Sequence, residues 1–294
     1  MTNGVLMFAL NGQAYDSDRN KTTIDYVKMA VANAKNIKKY MKNNAVALIT
    51  DQQGKQQLTP EHTLYFDHII VITPEYKGVG PETNHHVNKR AMTTGTKTIT
   101  VLWQNQSRPD AYKLSPFDNT LLLDCDYFVF DNTLDQIFET DKNILCGKHV
   151  EEISHQNNNI DYDRLHPQTI KLFWATVLFF KKSKEAEFMF NVMKLVKKNW
   201  RYYSKFYKFE SSNTYRNDYA ISVALHLMQG KLETTHYDLP FKIMCLGGKN
   251  IMMDCNKLLY RYKNTWAGSS VPKQNLHVMN KESAMSIADE ILNG

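Results

Sequence analysis

Two carboxylates one residue apart can share a divalent cation, and this chain offers that spacing three times: Asp16 and Asp18, Asp124 and Asp126, Asp161 and Asp163. The first and last pairs lie in polar stretches, where solvated carboxylates need no partner. The middle pair follows Leu121-Leu122-Leu123, an apolar run expected of a strand buried on both faces. A carboxylate at the end of such a strand is costly unless something positive meets it. Strand alternation puts residues two apart on the same side, so Asp124 and Asp126 are expected to face one ion. Mg²⁺ or Mn²⁺ takes oxygen ligands and commonly shares them between carboxylates and substrate phosphates. A nucleotide sugar supplies such phosphates, and the ion would offset the charge on a departing diphosphate. The alternative is that the pair only caps a turn, as Asp131-Asn132-Thr133 does. A cation site requires carboxylate oxygens that face a cavity and are not tied up by arginine or lysine.

The elements needed to position that pair can be read from the apolar patterning. Gly4–Leu10, Asn44–Thr50, His68–Thr73, Thr98–Trp103 and the run into Leu123 read as strands. Between the first two, Ile24, Val27, Ala30, Val31, Ala34 and Ile37 recur at helical steps. Strands alternating with helices predict an α/β fold with a mostly parallel, Rossmann-like central sheet flanked by helices. Ligands bind such sheets beyond the carboxyl ends of the strands, where Asn11, Asp51 and Asp124 fall. Further on, Leu172–Lys182 reads as a strand. Ser183–Trp200 reads as a Ser-capped helix with Phe188, Val192, Leu195 and Val196 as its buried stripe. Asn217–Gly230 reads as a helix opened by Asn217 or Asp218 and closed by Gly230, and the tail from Asn280 as a capped terminal helix. Gln156–Gln168 reads as a loop. With no internal repeat or low-complexity linker, residues 1–294 are expected to form one domain, with a nucleotide-binding half (1–131) and an acceptor-side half (132–294).

Composition sets the outer bounds. With 43% hydrophobic and 22% charged residues, the chain can build a proper core and is not disordered. Its net charge of +6 suits anionic ligands but is too mild to define a nucleic-acid binder. Cys125, Cys146, Cys245 and Cys255 form no C-x-x-C pair, so neither a zinc site nor a disulfide framework is expected, and a reducing, cytoplasmic location fits. The first apolar stretch is too short to span a membrane.

The segment Tyr112–Phe130, "YKLSPFDNTLLLDCDYFVF", resembles the K-x-x-x-SP-aromatic-D-x-x-LxLDxD segment of GT-A fold glycosyltransferases, most closely the glycogenin-like members. "DYVKMAVANAKNIKKY" is similar to their opening helix, "FWATVLFFKKS" to their sugar-side strand, and "RNDYAISVALHL" to a later helix. Together these matches cover about two-thirds of the chain in order, and the Asp-x-Asp segment is the specific one. The resemblance implies transfer of a sugar from a nucleotide-diphosphate donor to an acceptor hydroxyl on a glycan, protein or nucleic acid, with Mn²⁺ or Mg²⁺ held by Asp124 and Asp126. It also implies that His277 completes the metal shell and that Lys281 and Lys113 touch the diphosphate or sugar. Two departures stand out: the family's Asn-Ala/Ser-Gly is Trp174-Ala175-Thr176 here, a bulkier wall, and the Gly12–Thr23 loop is longer than usual.

Asp218 is the candidate general base if the reaction inverts configuration, and orients the sugar if it retains; it could equally serve as a helix-end carboxylate. Asn11, Tyr15 and Asp51 are candidates for the base and ribose, with Tyr26 competing with Tyr15. Lys194–Phe209 mixes basic and aromatic residues that could grip a nucleic acid or meet an anionic membrane surface. The helical period of its apolar residues favours the end of an amphipathic helix with solvated lysines. Two other activities fit less well. A sugar-nucleotide-forming nucleotidyltransferase should carry a Gly-rich basic loop after the first strand, and "LNGQAYDSDRNK" has one glycine. A basic nucleic-acid-binding protein on a transferase fold should show salt-sensitive binding and no nucleotide-sugar turnover.

Overall fold

The computed structural model describes residues 1–10, 24–73, 107–153, 165, 169–208, 215–230, 237–247 and 274–294, and the backbone of strands at 251–254, 257–262 and 265–269. Asn11, Tyr15, Thr98–Trp103 and most of Gln156–Gln168 lie outside these residues.

In chain order, strands β1 (Asn3–Ala9), β2 (Ala45–Thr50), β3 (His68–Val71), β4 (Asn119–Leu123), β5 (Tyr127–Phe128), β6 (Ile144–Gly147), β7 (Val150–Glu152), β8 (Trp174–Lys181), β9 (Ile243–Leu246), β10 (Ile251–Asp254), β11 (Lys257–Tyr262), β12 (Thr265–Ser269) and β13 (Leu276–Val278) accompany eight α-helices among the described residues. The helices are α1 (Tyr26–Tyr40), α2 (Gln52–Gln57), α3 (Pro60–Thr63), α4 (Ala111–Leu114), α5 (Lys184–Lys198), α6 (Trp200–Phe206), α7 (Asn217–Gln229) and α8 (Lys281–Asn293). The main sheet runs β3-β2-β1-β4-β8-β6. Its first four strands are parallel, and β8 is antiparallel to both β4 and β6. A second sheet, β5-β13-β9-β7, stands beyond the carboxyl end of β4, and β10-β11-β12 form a third.

Why the central strands are apolar at every position follows from the layers. Val5, Met7, Leu121 and Leu123 enter one core with α1 and α8, while Leu6, Leu122, Leu178 and Phe180 enter another with α5 and α7. Alternate residues of one strand thus bury against helices on opposite faces, the arrangement that removes polar positions from a strand. The helix ends are set by local chemistry. Asp25, Ser183 and Asn280 accept hydrogen bonds from backbone N–H groups of the first turns of α1, α5 and α8. Gly230 closes α7 with φ of 65°, a left-handed conformation that favours glycine.

Two sequence expectations need correction. Strand β4 ends at Leu123, and Asp124–Tyr127 is a tight turn in which the Tyr127 N–H donates to the Asp124 carbonyl at 3.1 Å. Strand alternation is therefore not what brings Asp124 and Asp126 together. The stripe expected on α5 is right at Val192 and Val196, which are buried, and wrong at Phe188 and Leu195, which are exposed; Ala186, Met189, Phe190 and Met193 complete the buried face.

Candidate active site

The site is built at the carboxyl edge of the main sheet, where β4 turns into β5. The turn is held from two sides by buried asparagines. Asn33 of α1 donates to the Tyr127 carbonyl at 2.6 Å and accepts from the Val129 N–H at 3.0 Å. Asn275, just before β13, accepts from the Phe130 N–H at 2.8 Å and donates to Asp131 at 2.8 Å. These bonds satisfy backbone groups that no ladder reaches and fix the direction in which Asp126 leaves the turn.

Strand β13 then places His277 opposite Tyr127, with the Val278 N–H donating to the Asp126 carbonyl at 2.9 Å. His277 Nε2 lies 3.5 Å from Asp126 Oδ1. One ligand atom each from Asp124, Asp126 and His277 lies within 4.8 Å of the others. Two carboxylates and an imidazole are a donor set that a hard or borderline divalent ion accepts, so the residues fit the implied metal.

Each carboxylate also has a cationic partner. Arg108 Nη1 pairs with Asp124 Oδ1, and Lys281 Nζ pairs with Asp126 Oδ2. The condition that arginine and lysine leave the pair alone is thus not met: both carboxylates are held in ion pairs, which counts against a cation site as expected from sequence, and an ion can use them only by displacing Arg108 and Lys281. Burial alone would push the Asp126 carboxyl up; Lys281 and His277 beside it override that and hold it well below the usual carboxylate range. Burial would likewise lower the Lys281 ammonium, and Asp126 outweighs it and raises it. Lys281 opens α8, and its ammonium lies 5.8 Å from the centre of the Tyr26 ring at the start of α1.

Arg108 is the site residue that sequence reading missed. It sits in a single 3₁₀ turn, Arg108–Asp110, is 3% exposed, and spends its other terminal nitrogen on the Ala175 carbonyl. The Asp124 N–H donates to the Thr176 carbonyl next door at 3.0 Å. The Ala175 N–H in turn donates to Asp218 Oδ1 at 3.3 Å, and Asp218 Oδ2 accepts from Arg216 at 2.8 Å. One residue of β8 therefore links Asp218 to the Arg108–Asp124 pair.

Asp124, Asp126, His277, Lys281 and Asp218 are brought to one place. Asp51 lies on the same edge of the sheet but two strands away, where Oδ1 caps α2 by accepting from Gly54 N–H at 2.7 Å. Lys113 is exposed on α4, which leads back towards the start of β4; Arg108, not Lys113, is the upstream basic side chain that reaches Asp124.

No protein-family model matches the chain, and no curated protein matches it in sequence. In structure it is similar to the galactosyltransferase LgtC in complex with donor and acceptor sugar analogues, at 14% identity over 76% of this chain and 70% of that one, with a TM-score of 0.43. It is also similar to the glycosyltransferase GlyE of Streptococcus pneumoniae TIGR4, at 12% identity over 82% of this chain and 46% of that one, with a TM-score of 0.41. Mouse xyloside xylosyltransferase 1 aligns at 12% identity over 79% of this chain and 84% of that one, with a TM-score of 0.39.

Proposed function

We propose that the chain is a glycosyltransferase that moves a sugar from a nucleotide-diphosphate donor to an acceptor hydroxyl, using Mn²⁺ or Mg²⁺. The observation that supports this most is the convergence of Asp124, Asp126 and His277 within 4.8 Å, with Arg108 and Lys281 on the same two carboxylates. Asp124, Asp126 and His277 would hold the ion, which when bound offsets negative charge on the departing diphosphate. Arg108 and Lys281 are then free to exchange their carboxylates for phosphate oxygens. Both are pre-placed donors where charge develops, which is the economical way to stabilise a leaving group.

Asp218 is assigned to orientation. Both of its oxygens accept hydrogen bonds, and a general base needs one directed at the acceptor proton. Trp174 and Ala175 would wall the sugar, and Asp51 would stand towards the nucleotide end of the same edge.

The test is turnover of a panel of nucleotide sugars with each divalent ion, scored by release of the nucleoside diphosphate. Asp124→Asn and Asp126→Asn should each lose about 100-fold or more in rate with unchanged far-ultraviolet circular dichroism. Undiminished turnover in both variants would overturn the assignment. Release of pyrophosphate from a nucleoside triphosphate would instead identify a nucleotidyltransferase.

A further inference from the structure

Eight large apolar side chains are exposed among the described residues, and four of them, Phe188, Leu195, Tyr202 and Phe206, fall within one short stretch on α5 and α6. Single exposed apolar residues need no explanation, but a contiguous group does. Phe188 and Leu195 are two helical turns apart and so share a face of α5. Tyr202 and Phe206 share a face of α6, with rings stacked at a centroid distance of 6.0 Å. At 63% and 64% exposed, these two rings stand out from the surface.

The opposite side of α6 is firmly seated. Trp200 is buried and packs edge-on against Tyr215 at 5.1 Å, and Tyr207 meets His226 at 5.7 Å. The exposed rings are therefore held outward by a packed inner face. Charge follows the same division. From Phe188 to Phe209 the sequence has five lysines, one arginine and no carboxylate. Lys194 pairs with Asp110 at 2.8 Å, whereas Lys198, Arg201, Lys205 and Lys208 are exposed and flank the aromatic pair in sequence. Glu185 and Glu187 stand at the far end of α5, beside Phe188, which puts Phe188 at the rim and the centre at α6.

We propose that this face docks on an anionic lipid bilayer. Apolar side chains projecting from a convex helix surface, ringed by cations, match an interface that offers hydrocarbon beneath negative headgroups. None of the described helices is long and apolar enough to cross a membrane, so the contact lies in the interfacial plane. A nucleic acid would be met by the same cations, but the aliphatic Leu195, exposed on α5 just ahead of α6 in the chain, offers no stacking surface to a base. Bilayer binding requires neither donor nor metal, so it stands or falls apart from the transferase assignment.

The full chain is to be sedimented with phosphatidylcholine vesicles and with vesicles of phosphatidylcholine and phosphatidylserine at about two to one. Binding is expected to the anionic vesicles only. It should weaken roughly ten-fold or more in Tyr202→Ser/Phe206→Ser and by a similar factor in Lys205→Gln/Lys208→Gln. All four side chains are solvent-exposed or nearly so, and circular dichroism of each variant checks its fold. No sedimentation with anionic vesicles, or sedimentation indifferent to both double variants, overturns the proposal. So does binding of a labelled single-stranded RNA that the variants abolish while vesicle binding stays absent.

Discussion

Asp124 and Asp126 carry their own counter-ions, and this determines how a metal would bind. Two carboxylates against Arg108 and Lys281 sum to zero before His277 is counted, so a divalent ion arriving alone meets a site already compensated and must displace two cations. A diphosphate changes the sum, since it offers those cations new partners and supplies further oxygen ligands. Metal and nucleotide are therefore expected to bind cooperatively. Mn²⁺ alone or a nucleoside diphosphate alone should barely move Tm, while both together should raise it by several degrees through mass action on the folded state. A full-sized shift with Mn²⁺ alone would show that the cations do not compete. At this scale the sequence was partly legible. The acidic pair stood out because a buried strand led into it, and His277 and Lys281 could be named only through resemblance. Arg108 carried no signal, because "SRPD" has no apolar period and its partner lies 16 residues on, at a distance set by tertiary structure.

Element by element, the site depends on groups that never touch a ligand. Asn33 is a buried amide on α1, and two of its hydrogen bonds close the backbone on either side of Phe128. Asn33→Ala would leave the Tyr127 carbonyl and the Val129 N–H unpaired in the core, at a cost of about 2–4 kcal/mol. Urea unfolding measures this directly, and a cost within error of zero would mean that water replaces the amide. Asp67 ties the end of α1 to the sheet by accepting from Lys38 at 2.5 Å and from the Val46 N–H at 2.6 Å. Partial burial raises its carboxyl, but Lys38 and that N–H together hold it below the ordinary value. A depressed carboxylate contributes stability above its unfolded pKa and loses that contribution as pH falls through its folded value. Asp67→Asn should thus lower Tm at neutral pH by roughly 1–3 °C, a small effect because the pair is well exposed. The gap to wild type should close below about pH 4. A gap that persisted in acid would point to shape and not charge. Caps and apolar periods made α1, α5, α7 and α8 readable from sequence. On α5 the expected stripe held at Val192 and Val196 but not at Phe188 and Leu195, because helical period fixes which residues share a side and not how far round the helix the core reaches.

At the level of the whole molecule, the parallel strands were expected, whereas the direction of β8 was not, since a strand's apolar run looks the same whichever way it points. Residues 148–173 lie between β6 and β8, a connection long enough to bring the chain back in either direction. The consequence is that the two halves of the chain share one sheet. Strand β4, buried at all five positions, is covered along one edge by β1 and along the other by β8. A fragment ending at Asp131 would keep β4 and lose β8, exposing the backbone edge of three consecutive leucines. It is expected to aggregate or stay unfolded by circular dichroism where the full chain folds; a monomeric fragment with cooperative unfolding would contradict this.

The same splice sets a timetable for biosynthesis. Strand β4 is translated about fifty residues before β8 begins, and at ordinary elongation rates that gap is roughly 3–10 s. For those seconds the nascent chain displays an apolar ribbon whose proper neighbour is still unmade. A cell overproducing this protein should therefore need a holding chaperone at the ribosome, and slower elongation between codons 124 and 174 should lower the yield of folded product instead of helping it.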